Sequence, residues 1–200
     1  MMPIVSTRSI TYFALAVMSL LLSGCSSLGV VLGLSDLNEE QRAALVALNS
    51  WEVDGKVGYQ FEGEAGSAYL FWEQADNEYK VRLSGPFSLG AFEIRGNERL
   101  AQITHQKETH ITDNPEHLFA DIIGWPLPIQ SLAYWSKGLP APGDHEAQYS
   151  REGLLERLEQ EGWTLGYTQY QSAGGLPLPR KIRASKGGLK LVLLFNRWSI

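Results

Sequence analysis

The pattern of apolar and polar residues changes period along this chain, and each change marks a different element. From Trp51 the apolar residues Trp51, Val53, Val57, Tyr59 and Phe61 all fall at odd positions, with mostly polar residues between them. A period of two predicts a half-buried strand. "SAYLFWEQ" and "EYKVRLS" continue in the same way, with Tyr79, Val81 and Leu83 alternating against Lys80 and Arg82, and "EGEAG" and "ADN" serve as turns. "AFEIRG" and "RLAQITH" predict a hairpin around Gly96-Asn97, and "ETHIT" one more short strand. Further on, "WTLGYTQYQ", "RKIRAS" and "LKLVLLFNRW" are strands, and Leu189, Leu191, Leu193 and Phe195 share one side of the last. "REGLLERLEQ" has fair helical spacing but sits among strands before the turn Glu161-Gly162-Trp163, so it reads as a strand. "LPAPGDHE" reads as a loop, and "SAGGLPLP" as a turn with an irregular edge.

Three segments have helical spacing instead. "SDLNEEQRAALVAL" offers Ser35 or Asp36 as a cap, acids in the first turn and Leu37, Leu45 and Leu48 on one face, which predicts a helix over about 36–49. "DNPEHLFADIIGW" has Asp113 or Asn114 as a cap, Pro115 in the first turn and Gly124 as a stop. Its Leu118, Phe119, Ile122 and Ile123 form one apolar face. "WPLP" breaks this helix, and "IQSLAYWSKG" predicts a short helix ending at Gly138. The sum is around ten strands in local hairpins, an N-terminal helix and two short helices in the middle. Meandering antiparallel strands of this number form a barrel or a strongly curved sheet. The two middle helices are expected to cap its mouth or lie across its concave side.

The N-terminus follows another logic. Ile10 to Leu22 is 13 residues without a charge, preceded by Arg8. That is too short to span a hydrocarbon core of ~30 Å, but it has the length of a signal-peptide apolar region. Ser23 and Gly24 follow, and then Cys25, the sole cysteine of the chain. Leu22-Ser23-Gly24-Cys25 resembles the lipobox of bacterial lipoproteins, in which the thiol takes a diacylglycerol thioether and the chain is cut before the cysteine. Residues 1–24 then form a lipoprotein signal peptide, 25–34 a lipidated tether and 35–200 the folded domain. In the lipoproteins this resembles, an aspartate after the cysteine retains the protein in the inner membrane. Ser26 stands there instead, which suggests the outer membrane of a Gram-negative envelope.

Composition narrows the function. Removing residues 1–24 leaves 16 Lys and Arg against 22 Asp and Glu, a net charge of −6. An acidic chain without a basic cluster is a poor partner for nucleic acid. The four histidines, His105, His110, His117 and His145, show no metal-ligand spacing, and His105 and His110 read as solvated residues flanking a turn. The sequence shows no phosphate-binding glycine loop and no nucleophile elbow, so no catalytic residue, metal or cofactor is expected. Six Trp, eight Tyr and seven Phe are a heavy aromatic load, enough to fill a core or line an apolar cavity.

Several stretches carry a family resemblance spread over the whole mature chain. They are the lipobox, "NSWEVDGKVGY", "YLFWEQ", "YKVRLSGPFSLGAFEI", "GWPLPIQSLAYWSKGLPAP", "QEGWTLGYTQY" and "LPRKIRA". Together, in this order, they resemble the LolB family, outer-membrane receptors that take lipoproteins from the periplasmic carrier LolA. The resemblance implies a mainly β (α+β) fold: an open, strongly curved antiparallel half-barrel of about eleven strands. An N-terminal helix and a short helical lid over an apolar cavity complete it. It also implies a non-enzymatic monomer that holds the acyl chains of client lipoproteins and passes them to the inner leaflet of the outer membrane. Inward aromatics Trp72, Tyr79, Phe92 and Trp135 are candidates for the cavity lining, or equally for plain core. In "SGPFSLG", Phe87 and Leu89 either tuck back into the core or form an exposed apolar finger. The family resemblance places at Phe87 the apolar residue that touches the bilayer. The alternatives are another envelope lipid-binding lipoprotein, carrying phospholipid or lipopolysaccharide, and a structural lipoprotein with a filled core. A continuous apolar cavity under the lid separates transport from scaffolding.

Overall fold

The computed structural model describes residues 37–85 and 91–200. Cys25, Ser26, the signal segment, the tether, Phe87 and Leu89 lie outside the described residues. The strands are β1 (Ser50–Phe61), β2 (Glu64–Ala75), β3 (Glu78–Ser84), β4 (Phe92–Gly96), β5 (Ala101–His105) and β6 (Glu108–Thr112), then β7 (Glu146–Tyr149), β8 (Leu155–Gln160), β9 (Trp163–Ala173), β10 (Leu176–Lys186) and β11 (Leu189–Ser199). They form one antiparallel sheet in the order β6-β5-β4-β3-β2-β1-β11-β10-β9-β8-β7. Helix α1 (Glu39–Ala47) precedes β1, while α2 (Pro115–Ile123) and α3 (Ile129–Trp135) stand between β6 and β7.

The first and last strands pair in the middle of the sheet, so β6 and β7 are its two edges. The chain from Thr112 to Glu146 therefore has to pass from one edge to the other, carrying α2 and α3 with it. A flat sheet of eleven strands would be ~48 Å wide at ~4.8 Å per strand. Helices of nine and seven residues, ~14 and ~11 Å long at 1.5 Å per residue, could not cover it. Yet Val81 and Ile94 from one half, Leu158 and Leu165 from the other, and Phe119 and Trp135 from the helices belong to one buried cluster. The sheet closes that distance by curling into an open half-barrel with the helices on its concave side.

Bulges keep the alternation in phase as the sheet curls. In the β1–β11 pair Asp54 faces Arg197 and Gly55 faces Phe195, so Asn196 is an extra residue. That one-residue step brings both Phe195 and Trp198 to the buried face. A shift between Gln148 and Tyr149 acts likewise in the β7–β8 pair. It places Leu155, Leu158 and Gln160 inward at uneven spacing, which is why this stretch imitates a helix in sequence.

Three expectations need adjusting. Helix α1 begins at Glu39, later than expected, because Asn38 and Gln41 cap each other: the Asn38 side chain accepts from the Gln41 amide at 2.7 Å, and the Gln41 side chain accepts from the Asn38 amide at 3.3 Å. "LPLP" is regular strand at the start of β10. Its prolines fit because the β10–β11 pairing runs only from Lys181, so no partner on that side needs their missing amides. Trp198 Nε1 instead donates to the Pro179 carbonyl at 3.1 Å. Strand β7 starts at the last residue of a stretch expected to be loop and runs through Ala147 to Tyr149; it is an edge strand of only four residues, too short to declare its period.

The bulge brings the β1 and β11 backbones so close at Gly55 that a Cβ there would overlap the Leu194 carbonyl oxygen. A Cβ at Gly58, in the same strand, would meet only Gly66 O at 3.9 Å. Gly55→Ala is therefore expected to lower stability by about 2 kcal/mol as an overpacked site, and Gly58→Ala to cost well under half of that. Urea denaturation of the two variants checks the contrast; equal midpoints would remove Gly55 from this role.

Candidate functional site

Alternation puts every second side chain of a strand on one face. The register aligns those faces across the sheet: Val53 faces Trp72, Trp72 faces Val81, and Val81 faces Ile94. One row further, Leu70, Leu83 and Phe92 line up. On the other side of β1, Val57 meets Leu193 and Tyr59 meets Leu191. These rows make the floor of an apolar cavity, and Phe119, Trp125, Leu127, Ile129 and Leu132 make its roof. Among the described residues its lining holds no charged side chain. The free space inside is only about 60 Å³, room for a few water molecules.

The two halves of the roof are held by different forces. Trp135, at the end of α3, donates through Nε1 to Gln160 Oε1 at 2.8 Å, and the Tyr167 hydroxyl donates to the Trp135 carbonyl at 3.0 Å. Gln160 also exchanges two hydrogen bonds with the Ala141 backbone, at 2.8 and 2.9 Å. The Ser131 hydroxyl donates to the Glu161 carboxylate at 2.7 Å. Helix α3 is thus fastened to β8 and β9 by buried polar bonds, which demand good geometry, and to the turn between them by a part-buried one.

Helix α2 starts locally: the Asn114 side chain accepts from the His117 amide at 3.1 Å, and Gly124 ends the helix in the left-handed region with φ 89°. The contact of His117 Nδ1 with the Asp121 carboxylate, at 3.1 Å, is internal to the helix. Helix α2 meets the sheet through Phe119 against Phe92, at 6.0 Å between ring centres, and Phe119 also packs on Trp125 of the roof at 5.6 Å. Apolar contact is non-directional, and another apolar group can replace it.

The structure places the sequence candidates as follows. Trp72 and Phe92 line the cavity. Tyr79 is buried on the same concave face but near Gly96, at the opposite end of β3, where it lines a separate groove. Trp135 is fully buried beneath α3 against Trp163, at 6.2 Å, rather than in the cavity wall. His105, expected to be solvated, is half-buried and stacks on Phe92 at 4.0 Å. The strand alternation that buries Ala101 and Ile103 turns His105 inward as well. Leu191, Leu193, Phe119 and Trp125 were not singled out as lining residues; the shared side of β11 and the apolar face of α2 were the signals for them.

Comparison with known proteins follows this geometry. The profile of the family described as "Outer membrane lipoprotein LolB" matches residues 49–198. An outer-membrane lipoprotein LolB of Pseudomonas aeruginosa is 34% identical over 186 residues, covering 89% of this chain and 90% of that protein. The protein of the same name from Coxiella burnetii is 29% identical over 191 residues, covering 92% and 91%. Among solved structures, a LolA superfamily protein of Nitrosomonas europaea superposes with a TM-score of 0.50 at 12% identity, covering 76% of this chain and 86% of that one. This last likeness is one of fold.

The fastening of α3 is testable. Gln160→Leu would leave Trp135 Nε1 and both polar groups of Ala141 without partners, and is expected to cost about 3 kcal/mol or more. His117→Ala on α2, which breaks only an exposed pair, is expected to change stability by less than about 0.5 kcal/mol. Thermal unfolding of both variants decides: similar losses would mean that the two helices are held alike.

Proposed function

This chain belongs to the LolB family of outer-membrane lipoproteins, and on that premise we propose how it handles its clients. It is an outer-membrane lipoprotein receptor of lipoprotein localisation, on the periplasmic face of a Gram-negative envelope. In our reading it acts as a monomer, takes the acyl chains of a client from a LolA-type carrier into the cavity, and releases them into the bilayer. The carrying observation is an apolar cavity whose lining holds no charged side chain among the described residues, roofed in part by a helix whose Phe119 packs on Phe92 of the sheet.

The energetics require such a compartment. Exposing one sixteen-carbon chain to water costs on the order of 12 kcal/mol at ~0.8 kcal/mol per methylene. The free space of about 60 Å³ is far too small for that chain, so the chain enters only as α2 lifts. The incoming chain then covers the same floor that Phe119 and its neighbours covered. Transfer runs in one direction if this protein binds the chains better than the carrier does and the bilayer binds them better still. The net charge of −6 on the mature chain favours encounter with a basic rim on the carrier.

The remaining assignments rest on position. Cys25 carries the anchor and Ser26 the outer-membrane address. Phe87 and Leu89 stand between Gly85, just past the end of β3, and Ala91, just before β4. Leu83 and Phe92 of the cavity wall are at that same end of the sheet. An apolar finger there would enter the bilayer beside the place where the chains leave. Phenylalanine suits this task because it is strongly apolar.

Two experiments test the reading. A carrier-bound lipoprotein incubated with this protein in solution is expected to transfer, and the transfer to slow as salt rises; a chain that accepts no client refutes the reading. Phe87→Glu is expected to accept clients as wild type does but to lose at least tenfold in delivery to liposomes. Unimpaired delivery would remove Phe87 from the membrane step.

A further inference from the structure

Beside the apolar cavity lies a second groove of about 560 Å³ whose border mixes apolar with polar and charged side chains. Asn49 before β1, the β2–β3 turn at Asp76 and Asn77, and Gln130 and Tyr134 of α3 surround it. It abuts the cavity directly: Ile129 borders both spaces, and Trp72 of the cavity packs on Trp51 of the groove at 5.3 Å.

Two residues that line the groove, Trp51 and Tyr79, carry buried donors without a partner among the described residues, and a third, Lys137, has a donor used only in part. Trp51 and Tyr79 are 3% and 7% exposed. Neither the Trp51 Nε1 nor the Tyr79 hydroxyl has a hydrogen-bond partner among the described residues. Lys137 is 6% exposed, and its Nζ donates to the Leu48 carbonyl at 2.8 Å. It forms no ion pair with a carboxylate among the described residues. Leu48 closes α1, so the lysine serves in part as a helix cap. An ammonium has three protons to donate, however; one goes to Leu48, and the Tyr134 ring lies 5.6 Å from the nitrogen, so donor capacity is left over. Leaving a buried donor unpaired costs about 1–3 kcal/mol, so two such groups and a part-used third along one groove call for a ligand rich in acceptors.

The charges of the groove narrow its class. Asp76, Glu98 and Glu161 border it with Lys137, so a multiply charged anion such as phosphate would meet more repulsion than attraction. Neutral carbonyl oxygens meet none. The acyl chains of a lipidated cysteine are joined through two ester carbonyls and one amide carbonyl, each an acceptor that is costly to bury unpaired. We propose that this groove is the subsite for those carbonyls, with Trp51 Nε1, the Tyr79 hydroxyl and Lys137 Nζ donating to them while the tails occupy the neighbouring cavity. The assignment rests on the acyl-cavity reading above. It adds a means of choosing a triacylated protein over bare hydrocarbon, since a donor left without its acceptor penalises the wrong ligand.

The test compares two probes on the soluble domain: a tripalmitoylated cysteinyl peptide, which carries the carbonyls, and hexadecane, which does not. Tyr79→Phe keeps the ring and removes the hydroxyl. Removal of an unpaired group is expected to leave thermal stability unchanged or slightly raised. The same variant is expected to bind the lipopeptide about fivefold more weakly, the loss of one neutral hydrogen bond, and to bind hexadecane as wild type does. Lys137→Met is the second variant, with the same split between probes. Equal effects on the two probes, or none on the lipopeptide, would overturn the subsite. So would variants that slow transfer from the carrier without weakening the free lipopeptide, which would assign the groove to a protein partner. Wild type that bound neither probe would overturn the acyl cavity and the subsite with it.

Discussion

Because β1 hydrogen-bonds to β11 in the middle of the sheet, the two edge strands, β6 and β7, are joined by a single connection. That connection cannot run around the outside without leaving the apolar floor open to water. Laid across the concave side, it closes the floor with its own apolar residues. The bulge at Asn196 and the close approach at Gly55 belong to the same pairing, since they set the phase that turns both Phe195 and Trp198 inward. The cavity, its roof and the adjoining groove all follow from one strand pair.

The roof divides the work between two kinds of force. Buried hydrogen bonds through Gln160 and Tyr167, with a part-buried one to Glu161, hold α3 in one place. Helix α2 rests on Phe92 through Phe119, an apolar contact that, in the proposed function, an acyl chain would replace. In the proposed function the closed state is a competition between two apolar occupants for one floor, decided by their differential affinity. A fastened α3 keeps the roof attached while α2 exchanges places with the client.

Much of this was legible in the sequence wherever period and chemistry agreed. The strict alternation of Trp51 to Phe61 and of Tyr79 to Leu83, and the Asn114, Pro115 and Gly124 signals around α2, all read directly. Legibility failed where tertiary contacts override local pattern. Leu155 and Leu158 look helical because a bulge sits between them, and β7, with Ala147 and Tyr149 alone, is too short to show a period. Pro177 and Pro179 argue against a strand until Trp198 is seen supplying the bond at that edge. Among aromatics, composition could not separate Trp72 and Phe92, which face the cavity, from Trp135, which packs under α3. That depends on which helix end meets which strand. The donors of Trp51, Tyr79 and Lys137 come from three distant segments, and only the fold brings them to one groove.

The central claim is that the cavity takes an acyl chain by displacement of α2 while α3 stays fixed. Hydrogen exchange measured segment by segment, with and without a tripalmitoylated cysteinyl peptide, tests it most directly. The account predicts that the amides of α2 exchange faster than those of α3 in the free protein, and that ligand changes protection in α2 and leaves α3 as it was. Equal protection of the two helices, or a ligand response confined to α3, would contradict it.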